Sequence, residues 1–148
     1  MGTHYQGNPR EMLALDSYIK LVRAAETVIA RIHRAPGMNL TVSQFGVLEA
    51  LLHLGPLNQT QLAGKLLKSG GNITMVLSNL EKQGLVERIR NKEDRRFITV
   101  HLTTKGKKLI EELFPRHVEN VRNQMEKMSD SELKQLGALC RKLGVEGH

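Results

Sequence analysis

The residues with the clearest capacity for chemistry lie in the middle third of the chain, and that chemistry is recognition of a polyanion. Between Gly71 and Lys82 the sequence interleaves apolar residues with Asn72, Thr74, Ser78 and Asn79. Short amides and hydroxyls of this kind reach base edges and phosphates. Met75 stands among them as an apolar residue able to touch a thymine methyl. Further along, Lys92, Asp94, Arg95 and Arg96 crowd into one polar stretch. A hairpin tip carrying such an arginine can enter a narrow minor groove, where negative potential is concentrated. Asp94, two residues before Arg96, is placed to grip the guanidinium in a bidentate pair and lower the cost of ordering it. Lys65, Lys68, Arg88 and Arg90 flank these stretches and are expected at phosphates, supplying affinity rather than specificity. No arginine stands on the 71–82 face, so base specificity is expected to be modest, with DNA shape contributing.

The charge distribution supports the same emphasis. The chain has 148 residues, 22 Lys+Arg and 15 Asp+Glu, for a formal net charge of +7. Residues 57–105 hold nine Lys/Arg against four Asp/Glu, so five of the seven excess charges fall in one third of the sequence. A concentrated positive patch is the electrostatic footprint of a polyanion partner. With 40% hydrophobic residues the chain can build a core, yet its longest apolar run is the four residues Met12–Leu15. A membrane span needs about 20. There is no basic–apolar–small pattern of a signal peptide. The lone Cys140 cannot form an internal disulfide, which fits a reducing cytoplasm. Three Phe, two Tyr and no Trp argue against a stacking platform for single strands.

These residues need elements to position them. After a loose tail of ten residues, Leu15, Tyr18, Val22, Ala25, Ile29 and Ile32 recur at the spacing of a long bundle or coiled-coil helix. That helix stops at Ala35-Pro36-Gly37. Three further starts carry a capping box: Thr41 with Gln44, Asn58 with Gln61, and Ser129 with Glu132. Each is flanked by an apolar staple: Leu40–Phe45, Leu57–Leu62 and Met128–Leu133. Helices are expected from Thr41 to Leu54 and from Gln59 to about Lys68, followed by a tight Ser69-Gly70-Gly71 connection. The next helix buries Ile73, Val76, Leu77 and Leu80 as one stripe and ends at Gly84. Leu85–Arg90 and Phe97–Leu102 alternate as two strands of a hairpin. Thr103 caps a long helix running towards Met128, with Pro115 expected to kink it. The last helix places Leu133, Leu136, Cys140 and Leu143 on one seam, and Cys140 is expected to be a buried, inert thiol. The order is that of a winged helix-turn-helix set between long helices.

The stretch from Leu57 to Gly106 resembles the multiple-antibiotic-resistance regulator (MarR) family of bacterial transcription factors. The residues that carry the likeness are Gln61-Leu62-Ala63, Asn72-Ile73-Thr74 and Leu80-Glu81-Lys82-Gln83-Gly84-Leu85-Val86-Glu87-Arg88. Asp94-Arg95-Arg96 and Leu102-Thr103-Thr104-Lys105-Gly106 follow at the family's spacing. The flanking helices match its order as well, so the likeness covers nearly the whole chain. It implies a mainly α-helical fold with a small β-hairpin wing. It also implies one domain over residues 1–148, with dimerisation helices at 11–35 and 103–148 around a winged-helix region at 41–102. Gly70 to Ser78 match the start of the family's recognition helix, and Asp94 and Arg96 match its wing pair. The resemblance further implies a homodimer on a pseudo-palindromic double-stranded operator, and repression relieved by a small, often phenolic, ligand or by thiol oxidation. Phe114-Pro115-Arg116-His117 is similar to a branch in which some members respond to quinone-like compounds.

Two departures narrow this. Peroxide-sensing members carry a reactive cysteine near the N-terminus, and here that region has none. Zinc-sensing members cluster their ligands, whereas His4, His33, His53, His101, His117 and His148 are scattered with no i, i+4 pair. No metal and no cofactor are therefore expected. An enzyme is the first rival class. Gly64-Lys65 is followed by Leu66 and lacks the upstream glycine of a phosphate loop, Gly106-Lys107 fails likewise, and no Gly-x-Ser-x-Gly occurs. The second rival is a winged-helix module for protein–protein contact without operator binding. It keeps the fold but has no need of a cationic wing.

Overall fold

The computed structural model describes residues 4–66 and 72–144. In chain order its elements are α1 (Pro9–His33), α2 (Val42–Leu54), β1 (Leu57–Asn58), α3 (Gln59–Leu66), α4 (Ile73–Lys82), β2 (Val86–Arg90), β3 (Ile98–Leu102), α5 (Thr104–Gln124) and α6 (Asp130–Gly144). The fold is mainly helical with a small antiparallel sheet.

Local chemistry sets the helix starts. At α2 the Thr41 side chain accepts from the Gln44 amide at 3.1 Å while Gln44 returns a bond to the Thr41 N–H at 3.0 Å. Asn58 and Gln61 make the same exchange at α3, and Ser129 and Glu132 make it at α6. All three expected boxes are present, and each satisfies amides that the first helical turn leaves without partners. A fourth box was not anticipated. Asn8 and Glu11 cap α1, with Pro9 at its first position, so the helix begins inside the stretch expected to be a loose tail.

The core sits where α2, α3, α4, α5 and the sheet converge. Phe45, Val47, Leu48 and Leu51 from α2 meet Leu62, Leu77, Leu80, Val86, Val100, Ile110 and Leu113. Of the expected α4 stripe, Leu77 and Leu80 are fully buried, while Ile73 and Val76 pack partly buried against the cluster. The sheet has three strands in the order β1-β3-β2, all antiparallel. The hairpin pairs Val86 with Leu102 and Arg90 with Ile98. The two-residue β1, pairing Leu57 with Val100, is an addition to the expected hairpin. Two residues are too few to show an alternation in sequence.

The route from α4 into the wing is tightly specified. Leu85 N–H bonds to the Leu80 carbonyl at 2.9 Å and Gly84 N–H to the Glu81 carbonyl at 3.0 Å. This is a Schellman ending, and it needs the left-handed Gly84 at φ +73°. The far strand returns to the same point. Thr103 Oγ1 donates to the Gly84 carbonyl at 2.6 Å and accepts from the Gly106 amide at 3.0 Å, capping α5. Lys105 Nζ donates to the Gln83 carbonyl at 2.8 Å. Gly106 lies so close to this corner that a Cβ there would stand 1.9 Å from the Leu85 carbonyl oxygen. The Leu-Thr-x-x-Gly string is thus a latch that fastens the wing to the end of α4.

The long helices pack differently. In α1 only Ile32 is buried, and α6 has no buried residue. α5 runs through Pro115 and ends at Gln124, earlier than the expected approach to Met128. Cys140 is exposed, against the expectation of a buried thiol. Its seam faces α1 across a groove lined by Leu13, Tyr18, Leu21, Leu136, Leu139 and Leu143 rather than filling a core.

Candidate nucleic-acid interface

α4 lies with its stripe against the core and turns Thr74, Met75, Asn79 and Lys82 outward, all exposed. Met75 is 62% exposed, an apolar side chain largely in solvent among these polar residues. Asn72 is the N-cap of α4: its Oδ1 accepts from the Thr74 amide at 2.9 Å. Asn72 therefore has a structural task as well as its expected recognition role. Ser78 is half-buried on the same side of the helix as Thr74, one turn further on. Gly71 and Lys68 lie outside the described residues.

The wing tip is organised around two aspartate-like contacts. Asn91 Oδ1 accepts from the amides of Glu93 and Asp94 at 2.8 and 3.1 Å, tightening the turn. Asp94 then holds Arg96. Its Oδ2 accepts from Arg96 Nη2 at 2.7 Å, and its Oδ1 accepts from Arg96 Nε at 3.0 Å and from the Arg96 amide at 3.1 Å. The bidentate pair read from the sequence is formed. Arg96 nevertheless remains 85% exposed along its side chain, so its guanidinium is braced and presented at once. The same pairing holds the Asp94 carboxyl below its ordinary range and raises Arg96. Lys92 and Arg95 are exposed beside it.

The four residues expected at phosphates divide. Arg90 is exposed and donates to the Arg95 carbonyl, tying the strand to the tip. Lys65 is exposed at the end of α3 along a shallow groove shared with Glu49 and His53. Arg88 departs from the expectation. It is turned towards α4, where Nη2 donates to Ser78 Oγ at 3.2 Å and Nε lies 3.8 Å from Glu81 Oε1. Its side chain is only 27% exposed. The reason is the strand's alternation, which sends Val86 and Arg88 to the face that packs against α4. The sequence reading also missed Gln59, at the first position of α3, whose Nε2 donates to Thr74 Oγ1 at 2.7 Å. A contact between residues fifteen apart leaves no local signature.

An exposed polar helix face beside a braced cationic hairpin defines a winged helix-turn-helix DNA-binding protein. Comparison with known proteins agrees. The sequence profile of the MarR family matches residues 40–98. The uncharacterized HTH-type transcriptional regulator YkoM of Bacillus subtilis is 32% identical over 135 residues, spanning 89% of this chain and 86% of the relative. The HTH-type transcriptional repressor YetL of the same organism is 34% identical over 119 residues, covering 76% of this chain and 71% of the relative. Among solved structures, Bordetella bronchiseptica BpsR, whose DNA binding is regulated by 6-hydroxynicotinic acid, superposes with a TM-score of 0.77. It is 25% identical, covering 86% of this chain and 97% of BpsR. The chain belongs to the MarR family and is a DNA-binding transcriptional regulator.

Proposed function

We propose that this regulator works as a homodimer on a pseudo-palindromic operator, as a repressor released by a small aromatic effector of phenolic or quinone-like type. The observation that carries the proposal is the pairing of an outward polar face on α4 with the Asp94-braced Arg96 at the wing tip. In this reading Asn72, Thr74, Met75, Ser78, Asn79 and Lys82 enter the major groove, and Gly71 opens the approach. Lys92, Arg95 and Arg96 reach the adjacent minor groove, while Lys65, Lys68 and Arg90 neutralise phosphates. The winged region at 41–102 reads the half-site, and the segments 11–35 and 103–148 join two copies.

Dimerisation has its own support. Leu13, Tyr18, Leu139 and Leu143 are each at least 60% exposed along the α1–α6 groove. Contiguous apolar surface of this kind calls for a partner, and a second copy presenting the same groove closes it with twofold symmetry. Repression is carried over from YetL, the relative named as a repressor.

The effector reading draws on BpsR and on the joint between the arms and the winged region. There His33 of α1, Phe45 of α2 and Phe114 and His117 of α5 form one ring cluster, with Phe45 and His117 centroids 4.5 Å apart. Among the described residues, His33 Nδ1 and His117 Nδ1 are buried without a hydrogen-bond partner. Rings and unbonded nitrogens at this joint would suit a flat ligand bearing a hydroxyl or carboxyl group once the joint opens to admit it. The protein is read as non-enzymatic and cytoplasmic, since its relatives are regulators and no described helix is long and apolar enough to cross a membrane.

The test is binding to duplexes from the DNA upstream of its own gene. A duplex carrying a pseudo-palindrome of about 16–20 base pairs should bind two chains. If a dimer neutralises roughly 6–10 phosphates, log K should fall with log salt by about 0.9 for each phosphate. A flat salt response with no selected duplex would point instead to a winged module for protein contact.

A further inference from the structure

Two hydroxyls on α4 each accept a hydrogen bond from a side chain of another element. Ser78 Oγ accepts from Arg88 Nη2 at 3.2 Å. Thr74 Oγ1 accepts from Gln59 Nε2 at 2.7 Å. The donors come from different elements, β2 and the start of α3, yet they meet hydroxyls one helical turn apart on the same face. A guanidinium has no acceptor, so Arg88 can only donate, and the Ser78 proton is left unused by that bond. Among the described residues neither hydroxyl donates to any group. Glu81, 3.8 Å from Arg88 Nε, helps hold the guanidinium where it supports Ser78.

We infer that Arg88 and Gln59 are positioning residues that polarise Ser78 and Thr74, so that both hydroxyls face DNA as donors and select acceptor edges. The inference rests on α4 being the helix that enters the major groove. In that groove the purine N7, guanine O6 and thymine O4 are acceptors, whereas cytosine offers only its N4 amino donor. Cytosine on the contacted strand is therefore the base that α4 disfavours at the steps under Thr74 and Ser78. With one of its two lone pairs taken and its proton unused, each hydroxyl is biased towards donating, a bias that an unsupported serine or threonine does not have.

The experiment is selection of bound duplexes from a pool randomised across the half-site, with thermal unfolding of every variant run beside it. The wild type should show two positions depleted in cytosine. Ser78→Ala and Arg88→Met should each reduce that depletion by about 3–10-fold at the same one position, and the double variant should lose no more than either single one. Arg88→Lys keeps a donor and should restore the preference. Gln59→Glu turns the neighbour of Thr74 into an acceptor that takes the hydroxyl proton. Thr74 then offers only lone pairs to the groove, and cytosine should become tolerated at the other position.

If Arg88→Met weakens all sequences equally, or Gln59→Glu leaves the base profile unchanged, the hydroxyls serve phosphates and the inference is overturned. If the wild type selects no sequence at all, the operator reading falls with it. A profile that shifts for Met75→Ala but not for Ser78→Ala or Gln59→Glu overturns the inference alone.

Discussion

Arg96 shows how a single side chain is made ready for a ligand before the ligand arrives. A free arginine loses rotamer entropy when it is fixed, and Asp94 has already fixed this one through both of its oxygens. The pair lies at the surface, so its worth is in geometry rather than in stability. Arg96→Ala should therefore weaken operator binding by about tenfold to a hundredfold with no change in the unfolding midpoint, measured by fluorescence anisotropy and thermal melts. Asp94→Ala leaves the arginine's charge in place but releases the brace, and should give a smaller loss. Equal losses for the two variants would mean that the charge of Arg96 contributes little beyond its position. At this scale Met75 is the complementary case. An apolar tip 62% exposed on a polar face gains nothing from the fold, so Met75→Ala should leave stability unchanged and relax preference at a T·A pair.

Among the elements, the junction of α4, the hairpin and α5 sets the angle between recognition helix and wing. Gly84 in the left-handed region turns the chain out of α4, and Thr103 with Lys105 fastens the returning strand to that turn. Gly106 completes it because no Cβ fits against the Leu85 carbonyl oxygen. The obstruction is backbone, which cannot swing aside as a side chain would. Gly106→Ala should cost about 3 kcal/mol or more in stability, read from chemical denaturation. It should also weaken operator binding more than its fraction unfolded explains, since the wing must tilt to relieve the clash. Arg88 belongs to the same scale. Its hydrogen bond to Ser78 ties the strand to the helix it lies under, so strand and helix are joined at the open end of the hairpin and again midway along it.

Across the whole molecule, the joint between the arms and the winged region carries a titratable pair. The ring centroids of His33 and His117 are 6.2 Å apart. Burial lowers both from the ordinary histidine value of 6.5, and a charge on His117 lowers His33 further. Glu49 opposes this at His117, as does the Leu40 carbonyl at His33. The unfolded chain thus binds protons more readily than the folded one. Stability from the packed neutral rings is complete above pH 6.5 and declines as pH falls through the depressed folded values. The unfolding midpoint should drop on acidification below 6.5, and His117→Gln should flatten that profile; an unchanged profile would place the acid sensitivity elsewhere. The arms supply the second test at this scale. Leu139→Glu puts a charge into the apolar α1–α6 groove, and if that groove joins two copies as proposed it should shift the protein from dimer to monomer in sedimentation equilibrium while leaving the winged core folded.

Much of this molecule was legible in the chain because the signals were local. A capping box spans four residues, the α4 stripe spans eight, and the Asp94–Arg96 pair spans three, so spacing alone determined them. The concentration of positive charge around an almost uncharged helix face was equally plain. Most of what the sequence did not disclose depended on distance along the chain. The exception is the Asn8 box, which is local but lies among Gly, Asn and Pro residues that equally spell a tail. The two-residue β1 exists only because β3 lies beside it. Cys140 and its seam read as core, but none of the described residues covers the groove they line, and the thiol is exposed. Arg88 counted as one more surface cation until the pleat of β2 turned it under α4. Composition and spacing thus determined most of the helix starts and where the positive charge gathers. Tertiary structure decided which cations stay free and which side chains the α4 hydroxyls bond to, because those depend on groups that meet only after the chain has folded.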